Sequence, residues 1–428
     1  MADVGVGIGG NHSEVRLATM LDVRNFNVRG DGVSDDTRAV QQALDTGKIV
    51  SFAPGVYLCG TLYLRSGGGI HLGNGAVLRA SPDCRLYNRD DFSPHNQVSH
   101  REHASGAHFI IAENCENITL SGHGRIDGNF QTVFDMTQID PKGRPHYPYP
   151  QWRMGQMIFL CNCRNVTIKD LTIGGAHYWN CFLLNCEDVV ISGVRISADR
   201  LVMNADGFDI DCCRRVLIEG CDIDCGDDCI AVRGNEVPVG RAAPCEEVMV
   251  RHCRLRSPAC GVRVGVGNGT IRNCTFSELE MVDCSIGIGL CPSYTPGKCV
   301  KMENILFENI QCEGKQAFLM LPYWGGVGDV DDPAIQPVKG ITLRNFTAVS
   351  RRPSLIAAPV CKGIFSNFSL ENVKIQLIGT PEPLSASRWP FLNMGILNLY
   401  RLPELELKNF HGEAEAELPV VLREGRAR

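Results

Sequence analysis

The sequence predicts an all-β protein, a right-handed parallel β-helix with a short N-terminal capping helix. Three observations carry this reading: a strand motif that recurs at intervals of a few tens of residues, a period-two alternation inside each copy, and a single helical stretch ahead of the first copy. Five copies read Cys-x-x-[Ile/Val]-x-[Ile/Leu/Val] and begin at Cys115, Cys163, Cys186, Cys213 and Cys245. Cognate strands without the leading cysteine end at Ile271, Phe307, Leu343 and Leu370. With Leu120, Ile168, Ile191, Ile218 and Val250 as the earlier register marks, successive marks lie 48, 23, 27, 32, 21, 36, 36 and 27 residues apart. Steps in the twenties match one turn of a solenoid, and longer steps a turn that carries a loop. Equivalent residues then stack in ladders, which places the cysteines in an interior row. Short second strands after Leu171, Val194 and Cys221 supply a further side to each turn.

The helix candidate starts at Ser34-Asp35-Asp36-Thr37, a capping sequence, and carries Ala39, Val40, Ala43 and Leu44 on one face. It plugs an end that would otherwise expose strand edges and apolar interior. The stretches 83–108 and 129–152 break the rhythm of the coil and are expected as loops walling a groove. Residues 1–20 are expected to form an N-terminal arm and 21–428 a single catalytic domain.

The net charge of −6 comes from mixed charges without a basic run, so no footprint for nucleic acid or an anionic membrane is present. The first twenty residues lack a basic and then apolar leader, and no run reaches membrane-span length, which gives a cytoplasmic expectation. Twenty-one cysteines in 428 residues fall short of a disulfide scaffold. Cys212, Cys213, Cys221, Cys225 and Cys229 lack the paired spacing of a zinc site, so reduced core thiols are expected and no metal or cofactor. Asn117, Asn165, Asn345 and Asn367 begin Asn-x-Ser/Thr triplets, but their place in the repeat marks them as ladder asparagines.

Carboxylates concentrate between Asn204 and Gly234. Asp206 and Asp227 are 21 residues apart, close to one turn, and Asp228 follows directly. Crowded carboxylates raise one another's pKa, so one stays protonated. That is the condition for glycoside hydrolysis, which needs an acid for the leaving oxygen and a base for water. On spacing alone, turn aspartates or a calcium site are equally open.

The run Asn204-Ala205-Asp206-Gly207 followed by Gly226-Asp227-Asp228-Cys229-Ile230-Ala231 resembles the core of glycoside hydrolase family 28, the polygalacturonases and related pectin hydrolases. The similarity extends to Asp22–Asp45, to Gly122–Gly128 and to His177-Tyr178-Trp179, and covers roughly residues 20–375. The resemblance implies that Asp227 is the general acid, that Asp206 and Asp228 activate water, and that the anomeric carbon inverts. Asn204, His177, Trp179, Arg233, Arg263 and Tyr323 are the expected substrate-binding residues. His177 is a ligand or a satisfied surface histidine, Trp179 and Trp152 are sugar-stacking faces or packing, and Arg233 and Arg263 are substrate contacts or solvated coil residues.

Two family features are missing. Ala259-Cys260-Gly261 stands where a Gly-His-Gly is usual, and Gly287-Ile288-Gly289 where an Arg-Ile-Lys grips a galacturonate carboxylate. The expectation is therefore an exo-acting hydrolase of pectin-derived or related plant oligosaccharides, recognising a terminal neutral or deoxy sugar rather than ordinary polygalacturonan. The competing readings are a calcium-dependent lyase or epimerase on the same fold, with Arg263 as base, and a catalytically idle carbohydrate-binding solenoid.

Overall fold

A computed structural model describes residues 20–88, 99, 102–295, 297–323, 335–358, 365–382, 394–402 and 405–424. The arm expected at 1–20 lies outside them except for Met20. The fold is the right-handed parallel β-helix: one parallel sheet system continues from Leu21–Asp22 to Val421–Glu424, each strand pairing with its equivalent one turn away. No helix among the described residues is long and apolar enough to cross a membrane.

Three strand ladders build each turn of the middle coils. The first runs Ile110–Glu113, Ile158–Cys161, Cys181–Leu184, Phe208–Asp211, Ile230–Gly234 and Cys260–Gly267. The second holds the repeated motif, with Leu120, Ile168, Ile191, Ile218 and Val250 in register. The third stacks Ile126, Ile173, Ile196, Ile223 and Leu255. Alternation sends these residues inward, where all are essentially fully buried in one continuous core.

The sequence register slips at one mark. Val250 pairs with Phe276, not Ile271, which lies level with Cys245. Both face the core, because Thr270–Cys291 runs through the bends and sends Ile271, Cys274 and Phe276 inward, as Cys245, Val248 and Val250 are on the neighbouring turn. A pattern of apolar spacing cannot choose between them. From Phe276 the row continues through Phe307, Leu343 and Leu370 as expected. Phe276 and Phe307 stack at 4.8 Å and 11°, the spacing of adjacent strands.

The motif also encodes its bend. The residue before its first Ile or Val has a left-handed backbone in each copy: Asn117, Asn165, Asp188, Arg215 and Glu247, with φ of 54° to 59°. Asparagine tolerates this conformation best and its amides chain from turn to turn, as in Asn165 to Asn117 and Asn372 to Asn345. The Asn-x-Ser/Thr triplets are therefore ladder positions. Beside them Cys115, Cys163, Cys186 and Cys213 form the interior thiol row, their Sγ atoms donating to backbone carbonyls. Every described cysteine is a free thiol.

The capping helix is Thr37–Leu44, burying Val40, Ala43 and Leu44 in the main core. Asp35 caps it by accepting from the Thr37 amide and hydroxyl, while Asp36 turns back to the amides of Arg29 and Gly30.

Truncating an interior stack leaves a cavity that rigid neighbouring turns cannot close. Phe307→Ala is expected to cost about 3–5 kcal/mol, read as a lowered denaturation midpoint, with the near-ultraviolet signal lost in step with the far-ultraviolet one.

Candidate active site

The first ladder carries the site on its outer surface. Phe208 pairs with Ile230, so Asp206 and Asp228, two residues upstream, stand level on adjacent turns, and the Gly207 amide donates to the Asp228 carbonyl at 2.9 Å. Gly207 is required there, since a Cβ would lie 2.3 Å from the Cys229 carbonyl oxygen. Asp227 enters from the bend one residue earlier. The three side chains each offer an oxygen within 4.8 Å of the others. At this spacing two full charges repel by about 3–4 kcal/mol at an effective dielectric near 20.

The counter-charges are unequal. Arg144 donates to Asp227 Oδ2 at 2.8 Å. Arg263 donates to Asp228 Oδ2 at 2.9 Å, and the Cys260 amide to its Oδ1 at 3.1 Å. Asp206 makes no ion pair among the described residues, and its buried Oδ1 has no hydrogen-bond partner. Burial, with the charges of Asp209, Asp227 and Asp228, pushes the Asp206 carboxyl well above the ordinary range. Burial raises Asp227 too, against the pull of Arg144. Both carboxyls are thus held toward the protonated form, and a proton in the resting cluster belongs to the coupled group rather than to one of its members. Two arginines already seated on the carboxylates also make the cluster a poor calcium site, because a divalent ion would have to displace or tolerate both cations.

Further along the same outer surface, Arg233 lies 3.3 Å from Asp211, 3.7 Å from Asp209, and over the Trp179 ring at 4.7 Å. Trp179 is also stacked on Tyr178 and buried. Both residues are thus engaged with protein in the wall of the site. His177 is 1 % exposed, its Nδ1 accepts from the Met154 amide at 3.3 Å, and it meets Trp152 and Phe134 edge-on. Of the two readings of His177, the surface histidine does not hold: the ring sits inside the wall, where burial lowers its pKa to about 4 and keeps it neutral. Asn204 adopts a left-handed conformation and accepts from Arg153 at 3.2 Å. Tyr323 pairs by backbone with Ser293, next to Tyr294, whose ring covers Arg263 at 5.2 Å. Trp324 lies outside the described residues.

Arg144 and Arg153 were not among the residues singled out from the sequence, because both belong to the 129–152 loop and its exit, far in sequence from their partners. Arg153 is fully buried and donates to the carbonyls of Glu102, His177 and Met203 and to Asn204 Oδ1. It also stacks over Tyr149 and Tyr178, each 4.8 Å away. The loop rests on the turn before Asp206 through Phe130, Phe134, Tyr147, Val202 and Ala205. That packing brings Arg144 over the aspartates.

Along the helix axis the site is short. On its N-terminal side the outward residues Ile111, Phe159, Phe182 and Leu184 are buried with Ala104, Tyr178 and Trp179. On the other side Cys260, Ile286, Leu319, Leu321 and Leu355 form a second buried apolar cluster.

A carboxylate cluster on the outer face of a parallel β-helix defines a class of carbohydrate-cleaving enzymes. Residues 78–385 match the model of glycosyl hydrolases family 28, and the chain belongs to that family as a polygalacturonase-like glycoside hydrolase. Over 379 residues it is 25 % identical to a probable polygalacturonase of Vitis vinifera, covering 84 % of this chain and 74 % of that protein. Among solved structures it resembles an exopolygalacturonase of Thermotoga maritima, with a TM-score of 0.69, 17 % identity, and 92 % and 91 % of the two chains covered. The family 28 exopolygalacturonase of Yersinia enterocolitica gives 0.62, 17 % identity, and 94 % and 79 %.

Arg153→Met would take the donor from four acceptors at once, the buried His177 carbonyl and three part-buried ones. The expected loss is at least about 3 kcal/mol of stability, seen as a lower melting temperature together with loss of activity, since Asn204 and the loop both hang on this side chain.

Proposed function

We propose that the protein is an exo-acting, inverting glycoside hydrolase of pectin-derived oligosaccharides, with Asp227 as general acid and Asp206 with Asp228 activating water. The observation that carries this reading is the unequal neutralisation of three clustered carboxyls. Asp228 has both oxygens engaged by Arg263 and the Cys260 amide, which suits an ionised partner that orients water and makes it a poor nucleophile. Asp206 supplies a group that exchanges protons with water. Asp227 is the least buried of the three and faces the loop side, where a leaving oxygen would arrive.

Exo action is supported by the two apolar clusters that close the outer surface on both sides of the aspartates. A polymer lying along the coils needs several turns of open surface, and the site leaves few. Selection against an ordinary galacturonate is supported by register: Arg263 pairs with Gly289, so the outward position of the family's lysine carries no side chain. Cys260 stands in the row of Asp206 and Asp228 where the family's histidine is usual.

Asp227→Asn keeps shape and removes the transferable proton. Turnover is expected to fall by more than about 100-fold with an unchanged melting temperature; activity within tenfold of the parent overturns the acid assignment.

The carboxyl oxygens lie closer together than the general separation for inverting enzymes, so stereochemistry is a sharp check. A time course on pectic polymer and oligosaccharides, read by proton NMR and viscosity, is expected to show inversion in the first product and terminal residues released at nearly constant viscosity. Retention, or an early collapse of viscosity, overturns the corresponding half of the proposal. A chelator is expected to leave the rate unchanged.

A further inference from the structure

The Asp227 oxygen that would hand its proton to the leaving group is occupied in the free protein. Arg144 Nη2 sits 2.8 Å from Asp227 Oδ2 and equally close to Met203 Sδ. Arg144 Nε is buried without a hydrogen-bond partner. A guanidinium has five donors in a fixed fork, and leaving one of them unmet in a covered site is costly. The side chain is 22 % exposed and comes from an inserted loop rather than from the coil. Its carrier thus differs from the rigid strand that holds Arg263 on Asp228.

We propose that Arg144 is a substrate-exchanged counter-ion: it holds Asp227 in the free enzyme, and the arriving sugar draws it onto its own oxygens, freeing Asp227 Oδ2 for the glycosidic oxygen. The ligand chemistry is an oxygen-rich sugar edge, hydroxyl or carboxylate, that satisfies both the freed Nη2 and the unmet Nε. Arg144 is a positioning residue, since it acts on the bond through Asp227. This rests on the reading of Asp227 as the acid.

The groups around Asp227 make the exchange consequential. Asp206 faces it from the neighbouring turn, Asp228 from the next residue and Arg263 from the following turn; Tyr149 approaches from Arg144's own loop, and Cys225 donates to the Asp227 carbonyl from behind. Removing Arg144 takes away the principal charge favouring ionised Asp227, so the proton is then held to higher pH. The acid must be protonated to work, and the alkaline limb of the rate profile moves up accordingly. Because kcat/KM reports the free enzyme and kcat the complex, exchange predicts a split between the two profiles.

The test uses the full chain, with oligogalacturonides and neutral pectic oligosaccharides as probes. For Arg144→Gln the alkaline limb of kcat/KM is expected to shift up by about one pH unit while that of kcat stays with the parent, and KM rises about tenfold or more. Arg144→Lys, which keeps the charge, should restore most of the kcat/KM limb. Equal shifts in both profiles would mean that Arg144 stays on Asp227 in the complex, and no shift in either would mean it is only part of the wall; each overturns the exchange. Calorimetry on Asp227→Asn gives a second readout, because an arginine released from its carboxylate should bind the uncleaved oligosaccharide several-fold more tightly than Asp227→Asn/Arg144→Gln does. Equal affinity of the two variants also overturns it. Failure of the acid assignment shows separately, as turnover retained by Asp227→Asn.

Discussion

Everything at the site depends on the register of one pair of strands, Phe208–Asp211 on Ile230–Gly234. Parallel strands of a β-helix pair with no freedom to slide, because a one-residue slip would turn Phe208, Ile210, Ile230 and Val232 out of the core. That constraint holds Asp206 beside Asp228. The repulsion between them, about 3–4 kcal/mol at an effective dielectric near 20, is therefore imposed by burial of apolar neighbours on the same strands. The coil supplies the strain that the chemistry uses.

Relief of that repulsion is distributed rather than complete. Arg263 belongs to the next turn and is held on Asp228 beneath the Tyr294 ring. Arg144 belongs to a loop and can leave Asp227 by changing side-chain torsions. Asp206 makes an ion pair with neither, and burial beside its neighbours holds its carboxyl well above the ordinary range. Three identical side chains thus face three different sets of partners, which is how a single residue type can serve both acid and base roles. Asp209 extends the same logic outward: its carboxyl is fully buried without a hydrogen bond, and burial pushes it well above the ordinary range against the pull of Arg233 and Arg263.

What the sequence made legible is what the repeat encodes. The thiol row, the asparagine ladder, the capping helix and the level placement of the aspartates all follow from short spacings and a period of one turn, and each stands in the fold. The mark at Ile271 failed because Ile271, Cys274 and Phe276 all point inward across the left-handed bend at Asn273, and an apolar pattern alone does not say which of them is level with Val250. Arg144 and Arg153 left no local signal, since their partners Asp227, Asn204 and His177 lie 83, 51 and 24 residues away. The burial of His177 and Trp179 was equally hidden. A His-Tyr-Trp run looks the same whether its rings face solvent or pack under a loop whose path the sequence does not disclose.

The departures from the family motif gain meaning from the same register. Replacing a histidine by Cys260 places a small neutral group beside Asp228, with its amide donating to the carboxylate. Replacing lysine by Gly289 clears the position level with Arg263, and Tyr294 covers the guanidinium instead. Arg263 thus stands level with the glycine found in place of the family's lysine, with its guanidinium engaged by Asp228. Arg144, by contrast, comes from a loop, and in the exchange proposed above it is the cation that moves. In the proposed reading, recognition moves from strand-borne cations to loop-borne groups, and with it from a fixed grip on a polymer to a contact that forms when a chain end arrives.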